Sequence, residues 1–333
     1  TPKGGLSECQ RPPGTSTSPR SPGSIGRAGT IKSPPFCFSL RPVAEQIYNA
    51  IFVGSIYALF ALGFTLVFSV LDILNLAHPA IFTVGAFAAL FVMQAGVPAP
   101  IALVIAFVVC GILGVLLDRV AFAPLRRRGA PPLSAMISSI GVALILTRLI
   151  QLRYGPDLQA YPAGSVPSGV VELGALQLDG LRLVIILVAL ALMVGLTLLV
   201  GHSRLGRELR ALAEDPRAAR ILGVDVERAI AATFFISAGL GGVAGVLYGF
   251  ATNSPYSQMG LPFELKAFTV MVVGGMGSIP GALVGAYLLS FGETASLAFL
   301  PSELRDAVAF GLRFVVLLVR PNGLLGRKSP VRV

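Results

Sequence analysis

The chain has 333 residues, of which 54% are hydrophobic and only 13% are charged, and its mean hydropathy is +0.80. Soluble domains carry about 25% charged residues, and a soluble core of this length could not bury so much apolar surface. The composition therefore predicts an integral membrane protein and argues against a cytosolic enzyme, a disordered chain or a disulfide-rich secreted fold. The net charge of +10 does not indicate nucleic-acid binding, because no basic patch alternates with stacking aromatic residues.

The N-terminal 42 residues differ from the rest of the chain. They are rich in Pro, Ser, Gly and Arg and contain no apolar run that could form a folded core. They also lack the apolar segment of a signal peptide. We expect residues 1–42 to form a disordered basic tail, residues 43–326 to form a transmembrane domain, and residues 327–333 to form a cytoplasmic tail.

Apolar runs follow one another through the body of the chain, and a helix needs about 20 residues to span a membrane. The runs cover residues 44–71, 76–94, 98–117, 133–152, 181–200, 229–251, 265–273, 279–299 and 307–319. The run 265–273 is too short to cross alone. The sequence therefore predicts an all-α polytopic membrane protein with eight to ten transmembrane or broken helices.

The Lys and Arg residues of the loops predict the orientation, because cytoplasmic loops are enriched in them. Residues 118–132 hold four arginines, residues 201–228 hold six, and the end of the chain from Arg320 is basic without acids. Residues 153–182 hold two arginines against three acids. The first three segments are predicted to be cytoplasmic and the last to be external. The side of the N-terminal tail stays open, because it lies outside if residues 44–94 make two passes and inside if they make an odd number.

The cytoplasmic loop 202–228 has the pattern of two short surface helices. The first has apolar residues on one face, at Leu205, Leu209 and Leu212. Asp215 is placed to cap the second helix, whose first residue is Pro216, and Gly223 suits the left-handed position that ends it. The loop either rests on lipid headgroups or docks a cytoplasmic partner, and the pattern alone favours neither.

The segment from Arg207 to Asp215, with Leu222-Gly223, resembles the coupling loop of ABC-importer permeases, most closely the branched-chain amino acid permease family. Asn75-Leu-Ala-His78 is similar to the Asn-Phe-Ala-His of that family. Residues 265–282 resemble its late re-entrant or broken-helix segment, in the Gly-Ser-Ile-Pro-Gly form of the first of the two permeases. The resemblance covers residues 44–326.

The resemblance implies the membrane-spanning permease subunit of an ATP-driven, binding-protein-dependent importer of branched-chain or similar amino acids, in a bacterial inner membrane. The implied partners are cytoplasmic ATPase subunits, a second homologous permease and an external substrate-binding protein. The chain would have no cofactor, metal or catalytic site of its own, and ATP would be bound by the partner, since neither glycine-rich stretch has the P-loop pattern. The implied ATPase-coupling residues are Arg204, Gly206, Arg207, Leu209, Ala213, Glu214, Asp215, Leu222 and Gly223.

A translocation path is expected at the two other motifs, with Asn75, His78, Gly274, Gly275 and Gly277 as candidates. His78 either faces this path or meets water at a helix junction on the membrane surface, where Asn75 caps near the helix start. The family usually continues Asn-Phe-Ala-His with Gly-Glu, whereas this chain has Pro79-Ala80. A carboxylate at membrane depth is therefore missing, which leaves the substrate preference open.

Two further patterns have mainly structural interpretations. Glycines repeat every fourth residue at 241, 245 and 249 and at 277, 281 and 285, which favours close helix packing. Charged residues in the last apolar segments are expected to pair inside the membrane or to reach its surface. These residues are Glu264, Lys266, Glu293, Arg305, Asp306 and Arg313.

Other functions remain open from the sequence. The same machinery would serve urea, amides or sugars. An ATP-independent secondary transporter or channel is a second class, although no internal duplication typical of that class is evident. An intramembrane enzyme is a third class, for which paired catalytic residues are lacking.

Overall fold

A computed structural model describes residues 40–162, 164, 170–173, 176–299, 311, 314–315, 318–320 and 323–325. The long helices are α1 (Leu40–Leu71), α2 (His78–Gln94), α3 (Ala99–Leu117), α5 (Pro132–Tyr154), α6 (Gly180–His202), α9 (Val226–Thr252), α10 (Leu261–Gly274) and α11 (Ile279–Phe299). The shorter elements are α4 (Ala123–Arg127), α7 (Arg204–Glu214), α8 (Pro216–Ile221), and the strands β1 (Val170–Leu173) and β2 (Leu176–Asp179).

The eight long helices confirm the predicted fold class. Within the described residues, five helical stretches are long and apolar enough to cross a membrane, namely 44–71, 99–127, 132–154, 180–202 and 226–252. The pair α10 and α11 is bent by 118° and adds a sixth span if it is counted as one. This break confirms the broken or re-entrant segment that the resemblance implied. At 17 residues, α2 is shorter than a full span.

Two loops contain more regular structure than the sequence suggested. Residues 118–132 were predicted as a loop, but α3 continues through a π-helical turn, Asp118–Phe122, into α4. Charges are tolerated in this helical stretch because the buried carboxylate of Asp118 pairs with Arg126, 3.0 Å away. In the loop 153–182, β1 and β2 form an antiparallel hairpin in which Val170 lies opposite Asp179.

The centre of the bundle is formed by α1 and α9. Helix α2 packs along α9, and its His78 and Phe82 rings contact Phe60 of α1. The most apolar stretches of α1 and α9 are 83% and 78% buried. The crossing of α2 and α9 is close, because a Cβ at Gly85 would collide with the backbone of Gly242 and a Cβ at Gly245 with the Phe82 carbonyl. Gly241 and Gly249 are similarly covered, by His78 and Tyr161. The close-packing interpretation of this glycine repeat is confirmed.

Hydrogen bonds place the first residues of α1 at the end of the bundle that was predicted to be external. The Tyr48 hydroxyl donates to the Asp179 carbonyl at 2.9 Å, and Arg182 donates to the Asn49 side chain at 3.4 Å. At the opposite end of α1, Ser69 lies against Gly277. Residues 44–94 thus form two helical segments, α1 and α2. Helix α1 begins at the end of the bundle where residues 179–182 lie.

The C-terminal segment reaches the opposite end of the bundle. The amides of Leu324 and Leu325 donate to the carbonyls of Val273 and Gly274, both at 2.9 Å, at the end of α10. This end also carries the basic segments of α4 and α7, in agreement with a cytoplasmic C-terminus. Residues 1–39, Arg305, Asp306, Arg313 and 327–333 lie outside the described residues, as does most of the run 307–319.

Candidate functional site

The loop 202–228 forms the two helices that the sequence predicted. The Ser203 hydroxyl caps α7 by accepting from the Gly206 amide at 2.9 Å. Asp215 caps α8 by accepting from the amides of Arg217 and Ala218 at 2.7 and 3.2 Å. Pro216 is the first residue of α8, and Gly223 has a φ of +86°, which glycine adopts without strain. The capping and termination predicted from Asp215 and Gly223 are confirmed.

Helix α7 packs against the ends of three long helices, two of which are the central α1 and α9. Leu209 and Leu212 are 2% and 1% exposed, and Leu205 is partly buried. A Cβ at Gly206 would collide with the carbonyls of Leu199 and Val200, so only glycine allows this approach. The helix packs against α6, α1 and α9. Helix α7 is therefore in direct contact with both central helices, α1 and α9.

The opposite face of the helix pair formed by α7 and α8 is exposed. Of the residues implied in coupling, only Gly206 and Leu209 are buried in the seat of α7, and the other seven are exposed: Arg204, Arg207, Ala213, Glu214, Asp215, Leu222 and Gly223. The tip of the pair is apolar, because Ile221 and Leu222 are 86% and 79% exposed. The sequence interpretation did not include Ile221, although its apolar side chain beside Leu222 was a visible signal.

The start of α2 lies deep inside the protein. His78 is fully buried, with its ring centroid 4.9 Å from that of Phe60 and 5.9 Å from that of Phe64. Its imidazole also lies against Gly63 and Gly241. The interpretation that His78 meets water at the membrane surface is wrong for the described chain, because α2 begins between α1 and α9.

Asn75 is also buried, and its role differs in detail from the sequence expectation. Its side-chain oxygen accepts from the Ala77 amide at 3.1 Å, and the first turn of α2 has no side-chain cap. Asn75 therefore holds the turn that leads into α2 and does not cap the helix itself. Pro79 lies in the first turn of α2, where a missing amide hydrogen costs nothing.

The three glycine candidates form the break between α10 and α11. Gly274 backs directly onto Gly281, while Gly275 and Gly277 have φ values of +109° and +77°. Gly277 thus belongs to the turn, whereas Gly281 and Gly285 pack against α10. The structure places these glycines beside Ser69 and Gly323, and His78, which follows Asn75 by three residues, beside the middle of α1 and α9. The path candidates therefore form two separate groups.

A buried ionic cluster joins α1, α10 and α11. The Lys266 ammonium lies 3.0 Å from Glu293 Oε1 and donates to the Tyr57 hydroxyl at 2.6 Å. The Tyr57 hydroxyl donates to Glu293 Oε2 at 2.9 Å. The Glu293 and Lys266 side chains are only 0% and 14% exposed. The expected pairing is confirmed for these two residues, but no sequence signal identified Tyr57.

Comparison with known proteins decides the family. A model of the family described as branched-chain amino acid transport system / permease component matches residues 46–317. The chain belongs to this family. It is 36% identical over 303 residues to the high-affinity branched-chain amino acid transport system permease protein LivH of Escherichia coli K12, covering 87% of this chain and 97% of LivH.

Two further members of the family are similar over most of their length. The permease protein BraD of a Pseudomonas aeruginosa high-affinity branched-chain amino acid transport system is 36% identical over 301 residues, covering 87% of this chain and 97% of BraD. A probable branched-chain amino acid permease LivH of Methanocaldococcus jannaschii is 30% identical over 312 residues, covering 86% and 94%. This chain is thus a multi-pass membrane permease of that family, as the motifs indicated.

Proposed function

We propose that this chain is the membrane-spanning subunit of an ATP-driven importer of branched-chain amino acids in a bacterial inner membrane. An external binding protein delivers the substrate, a second, homologous permease completes the path, and a cytoplasmic ATPase binds and hydrolyses ATP. The main support is the similarity over nearly the whole chain to permeases named for branched-chain amino acid transport.

The geometry of α7 and α8 supports the assignment of the ATPase contact. One face of α7 is buried against α1, α6 and α9, while the α8 tip with Ile221 and Leu222 is exposed. Exposed apolar side chains at the centre of a polar, charged surface are typical of protein interfaces. An ATPase that binds this tip would move α7 and the central helices as one rigid body.

Uptake measurements test the proposed substrate. The chain is deleted in its native host, and uptake of radiolabelled leucine, isoleucine and valine is compared before and after complementation. We expect the deletion to abolish high-affinity uptake and the complemented strain to regain it. Unchanged uptake of all three in the deletion strain, with loss of urea, amide or sugar uptake instead, would contradict the substrate.

Purification in a mild detergent tests the proposed partners. We expect ATPase subunits and a second permease to copurify with the tagged chain and to be identified by mass spectrometry. Recovery of the chain alone, under conditions in which a known importer complex stays intact, would contradict the importer assignment and favour an ATP-independent transporter.

Substitutions on α7 and α8 test the coupling surface. Glu214→Arg reverses an exposed charge, and Gly223→Val puts a β-branched side chain where φ is +86°. Because like charges at an interface cost several kcal/mol, we expect uptake to fall by about tenfold or more, with normal insertion measured by immunoblot of membranes. Glu45→Arg, an exposed charge reversal on α1, is the matched control and retains uptake. Normal uptake by both variants would rule out the assigned contact.

A further inference from the structure

A groove with a volume of about 170 Å³ lies between the start of α2, the middle of α5 and the start of α10. Its walls include apolar side chains from α5, such as Ile140 and Leu144, and polar groups from the other two segments, such as Thr83 and Ser257. The volume is about six times the roughly 30 Å³ that a water molecule occupies, so it admits a small organic solute. Apolar walls with a few polar groups are typical of small-molecule sites.

One carboxylate, that of Glu264, faces this groove. Glu264 is half-buried in the apolar α10–α11 pair, and no hydrogen bond or ion pair to its side chain occurs within the described residues. Lys266, two residues further on, is already engaged by Glu293 and Tyr57. A carboxylate in a membrane-spanning segment is costly unless it is paired, and such residues usually mark a substrate or ion pathway.

The chemistry of the groove matches an aliphatic amino acid. The Glu264 carboxylate is the complement of an α-ammonium group, with which it would form a charge-assisted hydrogen bond. Ile140 and Leu144 form an apolar wall suited to a branched side chain, and both are exposed in this chain. Ser257 receives a hydrogen bond from Gln151, which in turn accepts one from Arg148, so a guanidinium is linked to the polar wall.

We propose that this groove is the point at which the permease holds the transported amino acid, with the Glu264 carboxylate binding its ammonium group and the Ile140–Leu144 wall receiving its side chain. The proposal rests on the proposed function, since it assigns a residue to the recognition of that substrate. Ala80, where the family resemblance led us to expect a glutamate, lies on the wall of the same groove. The carboxylate that is missing from α2 is thus supplied from α10.

The test uses the complete importer, reconstituted from its native permeases, ATPase and binding protein into proteoliposomes. Initial rates of leucine uptake are measured against the concentration of leucine-loaded binding protein. We expect Glu264→Gln to lower kcat/KM for uptake by about tenfold or more, because it removes a charge-assisted hydrogen bond, and Glu264→Asp to lower it less. Glu45→Gln removes an exposed carboxylate on α1 and serves as the matched control, with unchanged uptake.

A relocated carboxylate separates recognition from a purely structural role. In the Glu264→Gln chain, the additional change Ala80→Glu restores a carboxylate to the groove from α2, and we expect it to recover a substantial part of the lost uptake. Leu144→Trp fills the groove while it leaves Glu264 in place, and its side chain starts from an exposed position. We expect this variant to assemble normally and to lose uptake.

The outcomes distinguish this proposal from the proposed function. If the wild-type complex does not import leucine, the proposed substrate is wrong and this inference falls with it. If the wild type imports leucine while assembled Glu264→Gln or Leu144→Trp complexes import it within about twofold of the wild-type rate, the groove is not the substrate site. Loss of uptake without rescue by Ala80→Glu, together with loss of the complex from the membrane, assigns Glu264 a structural role and overturns the proposal.

Discussion

Helix α6 is more hydrophobic than α9 but is less buried. The most apolar window of α6 has a mean hydropathy of 3.2 and is only 22% buried, whereas that of α9 has a mean hydropathy of 1.9 and is 78% buried. The pair α1 and α5 shows the same independence, with hydropathies of 2.2 and 1.9 but burial of 83% and 22%. Hydropathy therefore does not decide which helix the protein places in its centre.

The glycines of these helices explain the difference. Lipid tails are as apolar as leucine, so a hydrophobic face gains little from leaving lipid for protein, and close packing decides which helices meet. In α9, Gly241, Gly242 and Gly245 lie directly against His78, Cys110 and Phe82. In α6, no described atom of a neighbouring element lies within 4 Å of where a Cβ at Gly195 or Gly201 would be. Small residues that actually touch a neighbour define the centre of the bundle.

The largest expected effect concerns the ionic cluster that ties α10 and α11 to the central α1. Lys266→Met leaves the buried Glu293 carboxylate without its cation, and breaking such a pair costs about 3–5 kcal/mol. We expect a strong decrease in the thermal unfolding temperature of the purified chain in detergent. The double variant Lys266→Met/Glu293→Gln should recover much of this loss, because neither charge is then buried alone.

The matched control for this cluster is the ion pair between Arg228 and Asp225, in which the side chains are 87% and 49% exposed. Arg228→Met is expected to change stability by less than about 1 kcal/mol, as is usual for exposed pairs. Equal unfolding temperatures for the Lys266 and Arg228 variants would show that the buried cluster contributes nothing to the packing of α10 and α11.

The second effect tests the glycine explanation itself. Gly245→Leu introduces a side chain against the Phe82 carbonyl on α2, and overpacking of this kind costs about 1–3 kcal/mol or more. Gly195→Leu makes the same change on α6, where the surrounding space is open. We expect Gly245→Leu to lower the yield of monodisperse chain in size-exclusion chromatography and Gly195→Leu to leave it unchanged. Equal yields would remove close glycine contacts as the reason that α9 is central.

The sequence predicted features that depend on neighbouring residues and missed those that depend on distant ones. The apolar runs located the long helices, and Asp215 and Gly223 located the ends of α8, because caps and left-handed turns are local. Tyr57 is separated by more than two hundred residues from Lys266 and Glu293, so no periodicity could connect them. The burial of His78 likewise depends on α1 and α9, which enclose the start of α2.

The continuation of α3 into α4 was missed although the pairing residues are close in the chain, because the Asp118–Arg126 pair exists only in the folded helical stretch. Four arginines between residues 119 and 128 are typical of a loop. The sequence alone does not show that Arg126 in α4 neutralises the Asp118 carboxylate in the π-helical turn before it. The groove at Glu264 also depends on three segments that are far apart in the chain. Distant pairing thus accounts for most of what the sequence did not predict, both in the fold and at the candidate sites.

The smallest expected effect compares two helix caps of the same chemistry. Asp215 caps α8, a six-residue helix on the surface, and Asp225 caps the long, packed α9 by accepting from the Arg228 amide at 3.1 Å. Removal of a cap costs about 1 kcal/mol, which in α8 is a large part of what keeps so short a helix folded. We therefore expect Asp215→Ala to accelerate tryptic cleavage after Arg217 and Arg220 by about fivefold in the detergent-solubilised chain.

The corresponding change in α9, Asp225→Ala, should leave cleavage after Arg228 nearly unchanged, because residues such as Ala229 and Ile230 are 2% and 1% exposed and hold the first turn by packing. Mass spectrometry of the timed digests gives both rates from the same experiment. Faster cleavage at Arg228 than at Arg217 would show that α9 opens at its N-terminal end despite its burial. The contacts that hold α7 against α9 would then be less rigid than the packing indicates. The proposed movement of α7, α8 and the central helices as one rigid body would be contradicted.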